Sequence, residues 1–152
     1  MSSATHMDEG LVIPGRISLP FSYSAGRTAS RFFLELRENR RIMGRRCPRC
    51  GRVWVPPQIL CIECFVHTEE WVEVSPEGVL LAHTWVPKPK PHHPFLDPLI
   101  YGMIRLDGAQ NNFVHVVQCE RPEALRDNIR VRAVFSEERK GHILDIACFR
   151  PV

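Results

Sequence analysis

The sequence predicts a mostly β protein. An N-terminal arm and a short helix lead into a four-cysteine zinc ribbon, and a five-stranded Greek-key barrel of the OB type closes the chain. Three observations carry this reading. Two C-x-x-C pairs, Cys47/Cys50 and Cys61/Cys64, stand ten residues apart, which is ligand spacing for one tetrahedral zinc. From Trp71 onward the chain breaks into short apolar runs separated by turn signals. Only one stretch ahead of the cysteines shows helical spacing.

Length and composition set the bounds. The chain has 152 residues, 44% hydrophobic and 24% charged, enough for one ordinary domain and a small satellite. The expected division is an arm over 1–27, with 1–7 resembling a cloning scar, a helix plus ribbon over 28–70, and the barrel over 71–152. No apolar run approaches the roughly 18 residues that span a bilayer. No signal-peptide pattern opens the chain, so a cytoplasmic location is expected. The net charge of +3 lacks the basic excess expected of a nucleic-acid-binding domain.

Residues 10–27 place Pro14, Gly15, Pro20 and Gly26 among Leu11, Val12, Ile13, Ile17, Leu19 and Phe21. Proline and glycine at these intervals argue against a helix. The segment is nevertheless apolar enough to pack, either on its own domain or on a partner chain.

The helix is expected over Ser30–Arg41, capped by Thr28 or Ser30. Phe32, Phe33, Leu36 and Arg40 fall on one side. The adjacent phenylalanines read as core, or as one core residue and one that fills a ligand or partner groove. Ile42–Arg46 is then extended and enters the first cysteine pair.

In the ribbon, a two-residue spacer lets two thiolates from one turn face one ion. Gly51 can take the positive φ that such a turn needs. Two disulfides are disfavoured without a secretion signal, and a redox C-x-x-C needs no matched second pair. Four thiolates around Zn²⁺ leave a charge of −2. Arg45, Arg46, Arg49 and Arg52 therefore either offset that charge or form an anion site. Arg52–Val55 is a strand ended by Pro56-Pro57. So small a module has almost no core, and zinc supplies its folding energy.

The barrel strands are expected at Trp71–Val74, Val79–Val86, Leu99–Leu106, Phe113–Cys119, Ile129–Phe135 and Ile143–Phe149, with turns at Ser75–Gly78 and Asp107-Gly108. Ile129, Val131, Ala133 and Phe135 alternate with Arg130 and Arg132, as in a half-buried strand. Glu120–Arg126 is a connector with one helical turn. This order suits an OB-type barrel, with a two-sheet sandwich as the alternative.

The loop from Pro87 to Pro98 holds five prolines and is stiff. It is a solvated connection, or a functional loop in which Lys88 and Lys90 meet phosphates and Phe95 a flat or apolar group. His92-His93 lacks a spaced third ligand for a metal other than Asp97. His115, in an apolar strand, reads as a structural residue. Cys119 and Cys148 read as inert thiols in apolar runs, and no nucleophile–base set is visible.

From Phe21 to Val152 the chain resembles the DUF35-type family, which joins a rubredoxin-like zinc ribbon to an OB-fold. The resemblance rests on Tyr23-Ser24-Ala25-Gly26, Phe32-Phe33, Cys47-Pro48-Arg49-Cys50-Gly51 and Val55-Pro56-Pro57. It continues through Trp71-Val72-Glu73-Val74, Gly78, Ile104–Gly108, Phe113-Val114-His115, Ile143–Ile146 and Phe149-Arg150-Pro151. It implies a non-catalytic subunit of a thiolase-like or lipid-transfer-protein-like partner acting on acyl-CoA thioesters, by Claisen, retro-Claisen or aldol chemistry. It implies structural Zn²⁺ on Cys47, Cys50, Cys61 and Cys64, and coenzyme A thioester as a possible ligand. Phe32, Phe33, Arg45, Arg46, Lys88, Lys90 and Phe95 are then the candidate contacts to CoA or partner. The Lys88–Phe95 loop is richer in Lys and His than the family pattern. A stand-alone acyl-CoA-binding protein and a single-stranded nucleic-acid module are the competing readings.

Overall fold

The computed structural model describes residues 13, 15, 17–88, 90, 93 and 99–152. A nine-residue helix, α1 (Gly26–Leu34), opens the folded part and runs into a π-helical turn, Glu35–Asn39. The helix thus starts four residues before the expected Ser30. Thr28 and Ser30 lie inside it, and its cap residue Ala25 offers no side-chain acceptor. Positive φ at Gly26 explains the early start, since glycine enters that conformation freely. Phe32 and Leu36 are buried and Phe33 is half-buried. Arg40 instead leaves the helical face and ends the turn in a left-handed conformation.

Among the described residues eight strands follow: β1 (Ile42–Arg46), β2 (Val53–Trp54), β3 (Glu70–Val74), β4 (Glu77–Val86), β5 (Leu99–Leu106), β6 (Phe113–Val117), β7 (Ile129–Phe135) and β8 (Ile146–Pro151). They form two units. A three-stranded sheet has the order β2-β1-β3, and a closed barrel has the order β4-β5-β6-β8-β7. The protein is therefore mostly β with one short helix, and the barrel is an OB-fold.

The expected strand at Trp71–Val74 exists but does not join the barrel. It pairs antiparallel with β1 over its whole length, from Ile42↔Val74 to Arg46↔Glu70. The expected segment Ile143–Phe149 splits into a short 3₁₀ turn, Ile143–Asp145, and β8. The connector after β6 holds one 3₁₀ turn at Pro122–Ala124, where a helical turn was expected.

β4 makes closure possible. Its first residues, Glu77–Leu80, pair with β7 while the stretch from Gly78 to Val86 pairs with β5, and a bulge lies between Leu80 and Ala82. A bulge bends a strand enough for it to serve two directions. At Gly78 a Cβ would sit 2.8 Å from the Leu106 Cα, so only glycine permits this close approach. The parallel β6–β8 contact, Val117↔Phe149, completes the ring.

One core joins the units. Phe32 and Leu36 of the helical segment, Ile42, Val53, Val55 and Val74 of the sheet, and Leu80, Ile104, Val131 and Phe149 of the barrel belong to the same buried cluster. The helix is also tied to the β7–β8 loop. Phe33 stacks on His142 with ring centroids 6.5 Å apart, and Arg139 Nε donates to the Arg37 carbonyl at 2.7 Å. Among the described residues, no helix is long and apolar enough to cross a membrane.

Candidate metal centre and its surroundings

The four cysteines of the two C-x-x-C pairs meet in space, with their Sγ atoms all within 4.8 Å of one another. Each pair sits on a hydrogen-bonded turn, and the two turns repeat one pattern. Gly51 N–H donates to the Cys47 carbonyl and Phe65 N–H to the Cys61 carbonyl, both at 2.9 Å. Cys47 N–H donates to the Arg52 carbonyl and Cys61 N–H to the Val66 carbonyl, also at 2.9 Å. The residue after each second cysteine has positive φ: Gly51 at 72° and Phe65 at 54°. The expectation for Gly51 therefore holds, and a phenylalanine occupies the equivalent place in the second turn.

The donor set fits zinc. Cys50 Sγ and Cys61 Sγ are 3.8 Å apart, and a tetrahedron with Zn–S bonds of about 2.3 Å has edges of about 3.8 Å. Burial, and then the sulfurs of Cys50, Cys61 and Cys47, push the Cys64 thiol up to about 12. Four thiols so placed do not ionise together without a cation between them. Cys61 falls to about 7: burial raises it, but the Cys64 N–H, the neighbouring sulfurs and the Trp54 indole more than offset that. Trp54 Nε1 is itself buried with no other partner, so the sulfur supplies its acceptor in the outer layer of the site. A zinc with four cysteine ligands has no open position, which makes the site structural.

The surrounding arginines are engaged within the protein. Arg52 pairs with Glu63, so each comes from a different turn. Arg49 Nη1 reaches the Cys64 carbonyl at 3.5 Å. Arg46 pairs with Glu70 at 2.9 Å. Arg45 reaches the Thr68 carbonyl and, at 3.5 Å, Thr28 Oγ1 of the helix, with its guanidinium 5.6 Å from the Trp71 ring. These contacts are to carboxylates and carbonyl oxygens of the chain itself, and two of the four arginines are neutralised by glutamates.

The ribbon is locked to the barrel by residues that the sequence did not single out. β2 has β1 on one edge. Its other edge is covered by the β5–β6 turn. Gln110 N–H donates to the Val53 carbonyl at 3.1 Å, and the Gln110 side chain accepts from Val53 N–H at 2.5 Å. Asn111 Oδ1 accepts from Val55 N–H at 2.9 Å. The only sequence signal was their place just after the Asp107-Gly108 turn.

The other candidates are scattered. Phe32, with 1% of its surface exposed, is a core residue and not a contact for CoA or a partner; the i, i+4 step to Leu36 buries it. Phe33 is half-covered by its stack on His142. Lys88 and Lys90 are exposed, and the main chain of Lys90 forms a turn with His93. Phe95 and His92 lie outside the described residues. His115 is 4% exposed; its Nδ1 accepts from Val116 N–H at 2.8 Å and Nε2 lies 3.3 Å from the Ile143 carbonyl. Burial pulls its pKa below the usual value, so it is a neutral structural histidine. Burial pushes both Cys119 and Cys148 thiols up. A cleft of about 770 Å³ opens where β6 and β8 diverge, with Ile100, Val117 and Leu125 on its floor and Arg121 and Arg150 in its lining.

Two family models match consecutive parts of the chain. Residues 35–70 match the ChsH2 rubredoxin-like zinc ribbon domain, and residues 71–136 match the ChsH2 C-terminal OB-fold domain. The chain belongs to the ChsH2, DUF35-type family. Solved structures show the same fold. A DUF35-family protein of unknown function from Sulfolobus solfataricus is 20% identical, with a TM-score of 0.61 over 83% of this chain and 84% of its own. A chain of the "Ltp2-ChsH2(DUF35) aldolase" is also 20% identical, with a TM-score of 0.62 over 85% of this chain and 98% of its own. No curated protein matches the chain. The ChsH2 ribbon model ends at residue 70, within the described β3, so the sheet β2-β1-β3 runs across the boundary between the two matched domains.

Proposed function

We propose that this ChsH2-type chain is the non-catalytic, zinc-stabilised subunit of a thiolase-type complex acting on acyl-CoA thioesters by Claisen, retro-Claisen or aldol chemistry. The observation that carries the proposal is the ordered pair of ChsH2 domain matches in one chain. The chemistry of its own residues agrees. The metal site is closed, His115 is buried and engaged at both nitrogens, and both remaining thiols are pushed away from the reactive thiolate. The reacting groups then belong to the partner. In this reading the chain supports the partner's fold and helps bind or pass CoA, with Lys88, Lys90 and Phe95 meeting the nucleotide end. A cytoplasmic setting, where thiols stay reduced, suits its cysteine usage.

Co-expression with candidate thiolase-like proteins tests the proposal. The two should co-purify, and thioester turnover should require both. Independent migration together with full turnover by the partner alone would overturn it. The cleft between β6 and β8 favours a second reading, a stand-alone acyl-CoA-binding protein. Calorimetry with acyl-CoA on the isolated chain separates the two, since only the second reading expects heat of binding without a partner.

A further inference from the structure

The short strand β2 and the residue after it face two ways. Val53 and Val55 are buried in the core that the ribbon shares with the barrel, whereas Trp54, between them, is buried with Cys47 and Cys61. Successive side chains of a strand point to opposite faces, so three consecutive residues reach from the common core to the metal centre. The main chain of the outer two is held from the barrel side. Gln110 takes both polar groups of Val53, and Asn111 takes both of Val55. Between these two clamps the Trp54 indole is fixed relative to the β5–β6 turn.

The indole has one polar atom, and it is buried. Trp54 is 5% exposed, and no oxygen or nitrogen of the described residues accepts from its Nε1. The Cys61 sulfur is the acceptor within reach. A neutral thiol accepts weakly, and a buried N–H without a good partner is destabilising. A thiolate accepts strongly, because the bond is then charge-assisted. Metal binding is what holds a buried cysteine as the thiolate. The Trp54 N–H is therefore satisfied when the site is loaded and poorly satisfied when it is not. A phenylalanine would serve packing alone at this position.

We propose that Trp54 is the positioning residue that couples the metal centre to the barrel: the Gln110 and Asn111 clamps hold its indole N–H at the Cys61 sulfur. Zinc then binds more tightly when the strand is clamped, and by linkage the clamps hold more firmly when zinc is bound. The metal sets the joint between ribbon and barrel as well as the two cysteine turns. The coupling lies within this chain and does not depend on what its partner is.

Competition with a chromophoric chelator, on the full chain, reads the zinc affinity. Trp54→Phe should bind zinc about tenfold or more weakly, as expected for the loss of a hydrogen bond to a charged group. Asn111→Ala touches neither metal nor indole and should weaken zinc binding as well. Its effect should be smaller in the Trp54→Phe background than in the wild type, because the indole that carries it is gone. Equal effects in the two backgrounds would show that the clamp acts on the metal through folding alone and would overturn the proposal. Wild-type zinc affinity in Asn111→Ala would also overturn it, and that result stands even where Trp54→Phe does not fold. Cobalt substitution gives a signature that a change in stability does not mimic. Without the N–H bond the Cys61 sulfur is richer in electrons, so the sulfur-to-cobalt charge-transfer band should move to lower energy in Trp54→Phe. A band at the wild-type position would remove the indole from the site. A wild-type chain that holds no zinc would overturn the metal assignment and this proposal with it.

Discussion

Asn111 holds Val55 by both of the valine's main-chain polar groups. Its Oδ1 accepts the Val55 N–H at 2.9 Å and its Nδ2 donates to the Val55 carbonyl at 2.5 Å. A side chain thereby does the work of a neighbouring strand at a buried position of the ribbon edge, where Val55 is 1% exposed. With Gln110 doing the same for Val53, the ribbon is fastened to the β5–β6 turn of the barrel.

Asn111→Ala should leave both Val55 groups without partners. The expected loss is about 1–3 kcal/mol, read as a lower urea midpoint with an unchanged slope. Asn111→Asp keeps the acceptor and loses the donor, and should fall between the two. A midpoint unchanged in the alanine variant would show that water replaces the clamp.

One zinc per chain is expected by elemental analysis. Cys61→Ser should lose the metal, and with it the amide-exchange protection of the two cysteine turns, because the buried cluster around them holds only Cys47, Trp54 and Cys61, with Cys64 and Val66 against it. The barrel should keep more protection than the ribbon. Retained zinc and retained protection in this variant would remove the metal from its place in the fold.

His115 makes stability sensitive to mild acid. Its native pKa is depressed by burial, while the unfolded chain binds a proton near pH 6.5. Its contribution is therefore complete above about pH 6.5 and declines as the pH falls below that value. His115→Leu should flatten the slope of stability against pH in this window, whatever its absolute effect. Equal slopes in the two proteins would place a proton on the buried ring.

A separate acid transition should follow at lower pH. Arg132 and Arg130 hold Glu77 below the usual carboxylate range, and Arg130 does the same for Asp107. These groups contribute above their unfolded values of roughly 4.3 and 3.9, and the contribution is lost as the pH falls through the depressed native values. All four side chains are partly exposed, so the effect is modest and weakens with salt. Arg130→Gln should shrink the difference in stability between pH 5 and pH 3, measured by thermal melts. An unchanged difference would mean that the network is screened by solvent.

Much of this architecture is legible in the chain. The metal site follows from ligand spacing alone, since two residues between cysteines leave few places for their sulfurs to go. β5 and β7 have the expected ends, because clean alternation and flanking turn residues delimit a strand locally. The helix start was misplaced because Thr28 and Ser30 look like caps, whereas Gly26 admits the chain to the helix earlier. Gln110 and Asn111 went unnoticed because a clamp residue differs from any turn residue only by what lies opposite it.

By itself, the sequence determined the elements and the metal: which segments are strands, where the turns fall and which four thiols converge. These depend on local sterics, side-chain periodicity and short spacings. Tertiary structure alone decided the partnerships. Trp71–Val74 reads as a strand in isolation, but only packing assigns it to β1 and not to the barrel. The arginines read as a charged cluster, but only the fold pairs Arg52 with Glu63 and Arg46 with Glu70. Phe32 and Phe33 are equivalent in the sequence and unequal in the molecule, one in the shared core and one against His142. Such choices are set by contacts between residues far apart in the chain, whose energies appear only when the surfaces meet.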